Sequence, residues 1–247
     1  MSALRKSTIS LLNLAGNGTR RLSSSDAKPV LYSYYASSCA WRVRIALGLK
    51  GIPYEIKATH LFEPNAPLYS NSSEYQEINP TQLVPALKID GQILCDSVAI
   101  MHYLEQTKPQ QPLLPQDPFK RAKVLQIVQI ICSGIQPLQN ASVLDRVGKK
   151  NSLEWAQYWI SSRFAGLEKV LSASSGKFCV GDEISMADCC LVPQVFNARR
   201  FRVNLNPFPT IVKLDDSFGT QSAVRASHPY NQPDCPPELA NKQKISK

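Results

Sequence analysis

Residues 29–58 read PVLYSYYASSCAWRVRIALGLKGIPYEIKA, and this run decides the fold. Val30-Leu31-Tyr32-Ser33-Tyr34 is a strand by its apolar and aromatic content. A polar loop, Ala36-Ser37-Ser38-Cys39, follows. Trp41, Ile45 and Leu49 then recur at helical spacing until Gly51 stops the helix. Tyr54–Ala58 is a second strand, so the segment is a β-α-β unit that opens an α/β layer. Backbone N–H groups and the positive end of the helix dipole point out of such a strand-to-helix corner. The run Ser37-Ser38-Cys39-Ala40-Trp41-Arg42 therefore attracts an anion. Two hydroxyls there can donate to a thiolate or a carboxylate, and one of them serves equally well as an N-cap. Cys39 reads either as a thiol activated by the helix end or as an inert buried one. Both pairs of readings stay open on local sequence.

Outward from this unit, residues 60–82 carry Pro64, Pro67 and a Ser/Asn cluster and read as mostly irregular with a short helix. Ala86-Leu87-Lys88-Ile89, Asp90-Gly91 and Gln92-Ile93-Leu94 make a hairpin around a D-G turn. Val84-Pro85 precedes it; an X-Pro bond is cis in only about 5–6% of cases, so trans is the expectation. Asp96-Ser97 opens a helix to about Gln106, as a cap or as a clamp for the ammonium and carboxylate of an amino acid. Pro109, Pro112, Pro115 and Pro118 mark a linker. Beyond it Leu153, Ala156, Ile160, Phe164, Leu167 and Leu171 fall on one helical face, which makes the second half all-α. The expected organisation is a leader over 1–28, an α/β domain over 29–111, an all-α domain over 119–226 and a flexible tail over 227–247.

The chain has 247 residues, 43% hydrophobic and 19% charged, a globular rather than a disordered balance. The leader holds Arg5, Lys6, Arg20, Arg21 and Lys28 against Asp26 alone. That composition resembles a mitochondrial transit peptide, with a disordered cytosolic extension as the alternative. The remaining chain is mildly basic, which suits a small anionic substrate, and it lacks the basic, aromatic-laced stripe of a nucleic-acid binder. The longest apolar run, Val124–Cys132, is broken by Gln126 and Gln129 and is far short of the roughly 20 residues that span a bilayer. Seven scattered cysteines and three histidines show neither C-x-x-C nor zinc spacing. No metal is expected, and reduced thiols point to an intracellular, cytoplasmic setting.

Taken together, the Ser-Ser-Cys-x-x-Arg helix start, the Val-Pro before the hairpin and the Asp-Ser at the next helix resemble a thioredoxin-like half. With the proline linker and the all-α half, the chain resembles a glutathione transferase. Tyr32-Ser33-Tyr34 through Leu47, Gln136-Pro137-Leu138-Gln139-Asn140 and Gly181-Asp182-Glu183 onward are similar to the zeta class, over about residues 29–240. The resemblance implies a homodimer with glutathione as cofactor. It implies that Ser37, Ser38, Cys39, Ala40, Trp41, Arg42, Val84, Asp96 and Ser97 bind it, with Gln136, Asn140, Ala141 and Ser142 from the helical half. Ser37, Ser38 and Cys39 become the catalytic set, with Ser37 stabilising the thiolate; Arg42 and Arg200 face the substrate. Ser185-Met186-Ala187-Asp188 matches a helix-capping motif of purely structural use.

The class's type activity is cis–trans isomerisation of maleylacetoacetate in tyrosine and phenylalanine breakdown, by reversible addition of the glutathione thiolate. Conjugation of small α-halo acids, or a non-catalytic interaction module on the same fold, are the alternatives. Two departures stand out. Ala36 occupies a position where relatives carry arginine, and the 60–75 loop lacks an obvious glutamine for glutathione, Ser70 lying nearest.

Overall fold

The computed structural model describes residues 27–63, 65 and 69–240. The expected leader falls almost wholly outside them. The chain runs β1 (Val30–Ser33), α1 (Ser38–Leu49), β2 (Glu55–Ala58), α2 (Ser73–Ile78), β3 (Ala86–Ile89), β4 (Gln92–Cys95) and α3 (Ser97–Thr107). The helical half follows with α4 (Pro118–Gly134), a 3-10 turn (Gln136–Gln139), α5 (Ala141–Val147), α6 (Ser152–Ser174), α7 (Met186–Arg200), α8 (Pro209–Gly219) and α9 (Ser222–Ala226). A second 3-10 turn covers Pro229–Asn231.

The sheet order is β2-β1-β3-β4. β1 and β2 are parallel, because α1 is the crossover between them, while β3 runs antiparallel to both β1 and β4. Leu31 pairs with Leu87, and Leu87 with Leu94, which aligns one apolar row across three strands. Asp90 and Gly91 both take positive φ, as the tight D-G turn requires.

Val43 and Ala46 of α1 are fully buried, like Ile45 and Leu47. Three periodic positions suggested a helix with one apolar face; the helix is instead packed against α3 on one side and α7 and α9 on another. A helix enclosed by two layers needs no polar face, and a single buried cluster accordingly runs from Leu31 through both halves to Val224. On α6 the predicted stripe is buried from Ala156 to Leu171, but Leu153, in the first turn, is exposed. The capping motif forms as read: Asp188 Oδ2 accepts from the Ser185 N–H at 2.8 Å, and Oδ1 from the Cys179 N–H at 2.8 Å. Among the described residues no helix is long and apolar enough to cross a membrane, and no three His, Cys, Asp or Glu side chains are grouped to hold a metal.

The flexible tail expected over 227–247 is corrected for residues 227–240. Ser227 Oγ accepts from the Trp41 indole N–H at 3.0 Å, and its carbonyl accepts from Arg44 Nε at 3.1 Å. Asp234 Oδ2 accepts from the Tyr35 N–H at 2.7 Å. The His228 ring stands edge-on against Trp41, Phe196 and Tyr230, at centroid distances of 5.2, 5.5 and 5.1 Å. A proline-rich composition reports only on local propensity, whereas these partners lie as much as 199 positions away in the chain. Residues 241–247 lie outside the described ones.

Burial and the nearby Arg44 charge push His228 down to about 4, and its Nδ1, unprotonated, accepts from the Tyr230 N–H at 3.2 Å. The native state therefore binds fewer protons than the unfolded chain between pH 6.5 and about 4. This contribution is whole above pH 6.5 and shrinks as the pH falls toward 4. The full shift corresponds to about 3 kcal/mol, reduced to roughly 2 kcal/mol by solvent reaching a half-buried ring. Thermal melts between pH 7 and 4.5 should show a shallower loss of stability for His228→Phe than for the parent; parallel curves would remove His228 as the source.

Candidate active site

The corner between β1 and α1 is built by its own caps. The Ser37 N–H donates to the Tyr34 carbonyl at 3.0 Å and closes the turn. Its Oγ accepts from the Ala40 N–H at 3.2 Å, so Ser37 is the N-cap of α1. Accepting leaves the hydroxyl proton of Ser37 free to donate elsewhere. The Ser38 and Cys39 N–H groups, the first two of the helix, find no hydrogen-bond partner among the described residues. The two readings of Ser37, cap and anion donor, are thus compatible in one side chain.

Cys39 is half-buried. Burial pushes its thiol above the ordinary value, and the Arg42 charge pulls against this without overcoming it. Of the two readings left open for Cys39, burial favours the unactivated one: desolvation outweighs the Arg42 charge and the Ser38 hydrogen bond, and the thiol is neutral near pH 7.

The side chains of Trp41 and Arg42 point inward. Trp41 packs edge-on to Phe196 at 5.5 Å and donates to Ser227. Arg42 is 2% exposed, and its Nη1 donates to Ser97 Oγ at 3.2 Å, while Nε and Nη2 have no partner among the described residues. The direct contacts expected from these two side chains become indirect ones, because neither reaches open solvent. Ala40 is also fully buried, and its N–H is taken by Ser37 Oγ.

The Val84-Pro85 bond is cis, against the trans expectation. The Val84 N–H and C=O make no hydrogen bond among the described residues. Asp96, an exposed residue, caps α3, its Oδ1 accepting from Val98 and Ala99 N–H at 2.9 and 3.0 Å, and its Oδ2 has no hydrogen bond among the described residues. Ser97 is buried and engaged by Arg42. Of the helical-half candidates, Asn140 caps α5 by accepting from the Ser142 N–H at 3.2 Å, and Gln136 and Ala141 are half-buried. No hydrogen bond among the described residues joins these four to α1. Arg200, exposed at the end of α7, places its charge near Tyr34 of the corner. Burial, followed by the neighbouring Tyr35, pushes the Tyr34 phenol up, and Arg200 pulls it down.

Sequence reasoning missed Arg44. It is fully buried and donates to Ser33 Oγ at 2.8 Å, the Tyr34 carbonyl at 3.3 Å, the Tyr35 carbonyl at 3.0 Å and the Ser227 carbonyl. It ties the strand end, the loop before Ser37 and the C-terminal segment into one unit. The available signal was a charged residue inside an otherwise apolar run, which must find fixed partners when buried.

Residues 31–112 match the family model described as glutathione S-transferase, N-terminal domain, and residues 145–226 match its C-terminal domain. A probable maleylacetoacetate isomerase 2 of Drosophila melanogaster is 63% identical over 220 residues, 89% of this chain and 96% of that protein. The maleylacetoacetate isomerase of Mus musculus is 55% identical over 212 residues, 86% and 97% of the two chains. A solved maleylacetoacetate isomerase of Anaeromyxobacter dehalogenans 2CP-1, with GSH bound in its active site, is similar at a TM-score of 0.75 and 39% identity, covering 85% and 98% of the two chains. A bacterial maleyl pyruvate isomerase of the zeta class reaches a TM-score of 0.80 at 37% identity, over 84% of this chain and all of that one.

Replacing Arg44 by Met should cost roughly 3–5 kcal/mol, since it strands the buried acceptors at Ser33, Tyr34, Tyr35 and Ser227. Urea unfolding measures this; a cost below about 1 kcal/mol would mean that water satisfies these groups.

Proposed function

The chain belongs to the glutathione S-transferase family, in its zeta class, and from that membership we propose that it isomerises maleylacetoacetate to fumarylacetoacetate with glutathione as cofactor, a step of tyrosine and phenylalanine breakdown. The observation that carries this reading is the opening of α1, where the Ser37 hydroxyl proton and the Ser38 and Cys39 amides are unengaged among the described residues. These donors suit a sulfur anion. The free main-chain groups of Val84 suit a peptide, and Asp96 suits an ammonium. The residues present therefore fit the tripeptide.

When bound, glutathione supplies a sulfur nucleophile whose reversible addition frees rotation about a cis double bond. The protein's part is to ionise and position that sulfur. Lowering a thiol of pKa about 8.5 by roughly 2 units takes about 2.7 kcal/mol. One hydrogen bond to a charged acceptor contributes about 1.5–3 kcal/mol, and a helix N-terminus about 0.3–1 kcal/mol. Ser37 and the end of α1 suffice together, and no general base is needed. Ionisation by itself raises the reactive fraction at pH 7 only roughly 25-fold, so holding the reactants in place is the larger effect. Cys39, neutral near pH 7, is a neighbouring thiol donor rather than a competing nucleophile. Arg200 at the mouth, and Arg42 acting from inside, supply positive potential for a substrate with two carboxylates.

A second reading, conjugation of small α-halo acids by the same site, draws on Ala36, which leaves the loop before Ser37 without a cation. A non-catalytic module on this fold would leave the unengaged donors of the corner unexplained. The reading extends to a homodimer, supported by apolar side chains left exposed at Leu83, Ile93 and Phe119, and to a cytoplasmic location with residues 1–28 as a candidate mitochondrial address.

Purified protein mixed with glutathione and maleylacetoacetate should convert the cis isomer to the trans one without consuming glutathione. Ser37→Ala should lower kcat/KM about 10²–10³-fold with the fold intact by circular dichroism, and near-parent kinetics in that folded variant would take Ser37 out of the mechanism. Arg200→Gln should act mainly on KM. Halo-acid turnover beside background isomerisation would move the assignment to the second reading.

A further inference from the structure

The thiols of Cys132 on α4 and Cys190 on α7 face each other with their sulfur atoms 3.7 Å apart. Cys190 is fully buried and Cys132 half-buried. The same place receives the buried Arg42 guanidinium, whose Nε and Nη2 have no partner among the described residues and whose charge acts on Cys39, Cys132, Cys190 and Asp96. An unpaired buried cation is costly unless an anion lies within its field. Nothing in the isomerisation uses these two sulfurs.

The pair is asymmetric. The hydrogen bond with Cys190, together with the Arg42 charge, pulls the Cys132 thiol below its ordinary value against the effect of burial, with Asp96 opposing weakly. The same bond and burial push Cys190 well up, with Cys189 adding to the rise. A thiol that ionises easily and is partly accessible attacks, and a buried protonated neighbour resolves.

We propose that Cys132 and Cys190 form a redox-active dithiol site, oxidised to an intramolecular disulfide by disulfides of the glutathione class. The Cys132 sulfur attacks one sulfur of glutathione disulfide. The S–S bond of the oxidant breaks, one glutathione thiolate leaves, and Cys132 carries a mixed disulfide. Cys190 then gives its proton to the departed thiolate and attacks the Cys132 sulfur, expelling the second glutathione. The protein loses two protons, which end on the two glutathione thiolates, and two electrons, and one disulfide is reduced to two thiols. The sulfurs must close from 3.7 Å to about 2.05 Å. The product ties α4 to α7 and takes the Cys132 sulfur out of the reach of further ionisation beside Arg42. This goes beyond the isomerisation, in which no redox change occurs.

The test uses the full chain, reduced and then incubated with glutathione disulfide. Free thiols are alkylated, and digestion and mass spectrometry follow. A peptide pair joined through Cys132 and Cys190, two hydrogens lighter than its reduced parts and reopened by dithiothreitol, is the expected product. Cys190→Ser and Cys190→Ala should both stop at one glutathionyl group on Cys132, and Cys132→Ser should yield neither species. Arg42→Met should slow the first step about tenfold or more. Glutathionylation confined to Cys39 or another cysteine, or a parent protein whose Cys132 and Cys190 stay alkylatable in excess oxidant, would overturn the proposal.

Discussion

A guanidinium buried as completely as that of Arg44 has to be given partners, and the corner of the molecule that matters is organised around giving them. Its four acceptors come from the end of β1, from the loop before Ser37 and from the segment after α9. An arginine offers a rigid planar fork, so it fixes the relative positions of the pieces it bonds. The loop that delivers Ser37 is thereby set by the interior of the protein and not by its own short sequence. Asp234 adds to the same restraint by holding the Tyr35 amide from outside.

Within that frame α1 satisfies two demands with few atoms. The Ser37 oxygen caps the helix through Ala40, and the proton on that oxygen is still available to a ligand. The next two amides, having no acceptor among the described residues, add to the positive end of the helix. Burial of Cys39 keeps its sulfur neutral beside the corner proposed to take an exogenous sulfur. In the proposed reaction two chemically similar groups would thus be separated in charge by environment alone, desolvation and hydrogen bonding acting on them in opposite directions.

Most of the fold was legible because its signals are local. The β-α-β unit, the D-G hairpin, the Asp96 and Ser185–Asp188 caps and the apolar stripe of α6 each depend on residues a few positions apart, and each forms as read save for Leu153 at the exposed start of the stripe. The stretch after residue 226 misled because its prolines speak only of local preference, while Trp41, Arg44 and Tyr35 hold it from far along the chain. Arg42 misled in another way. A cation near a candidate anion site invites a direct role, yet its side chain turns into the interface of α1 with the helical half.

The residue order alone determined that a serine would stand at the start of a helix following a parallel strand, and with it the class of chemistry the corner could support, since caps and dipoles are properties of a few consecutive residues. Whether the thiol at Cys39 ionises, which way the Val84-Pro85 bond turns, that Arg44 gathers the loop and that Cys132 meets Cys190 were decided only in three dimensions. Desolvation, and contact between segments distant in the chain, are properties of the packed interior, and no window along the chain contains them.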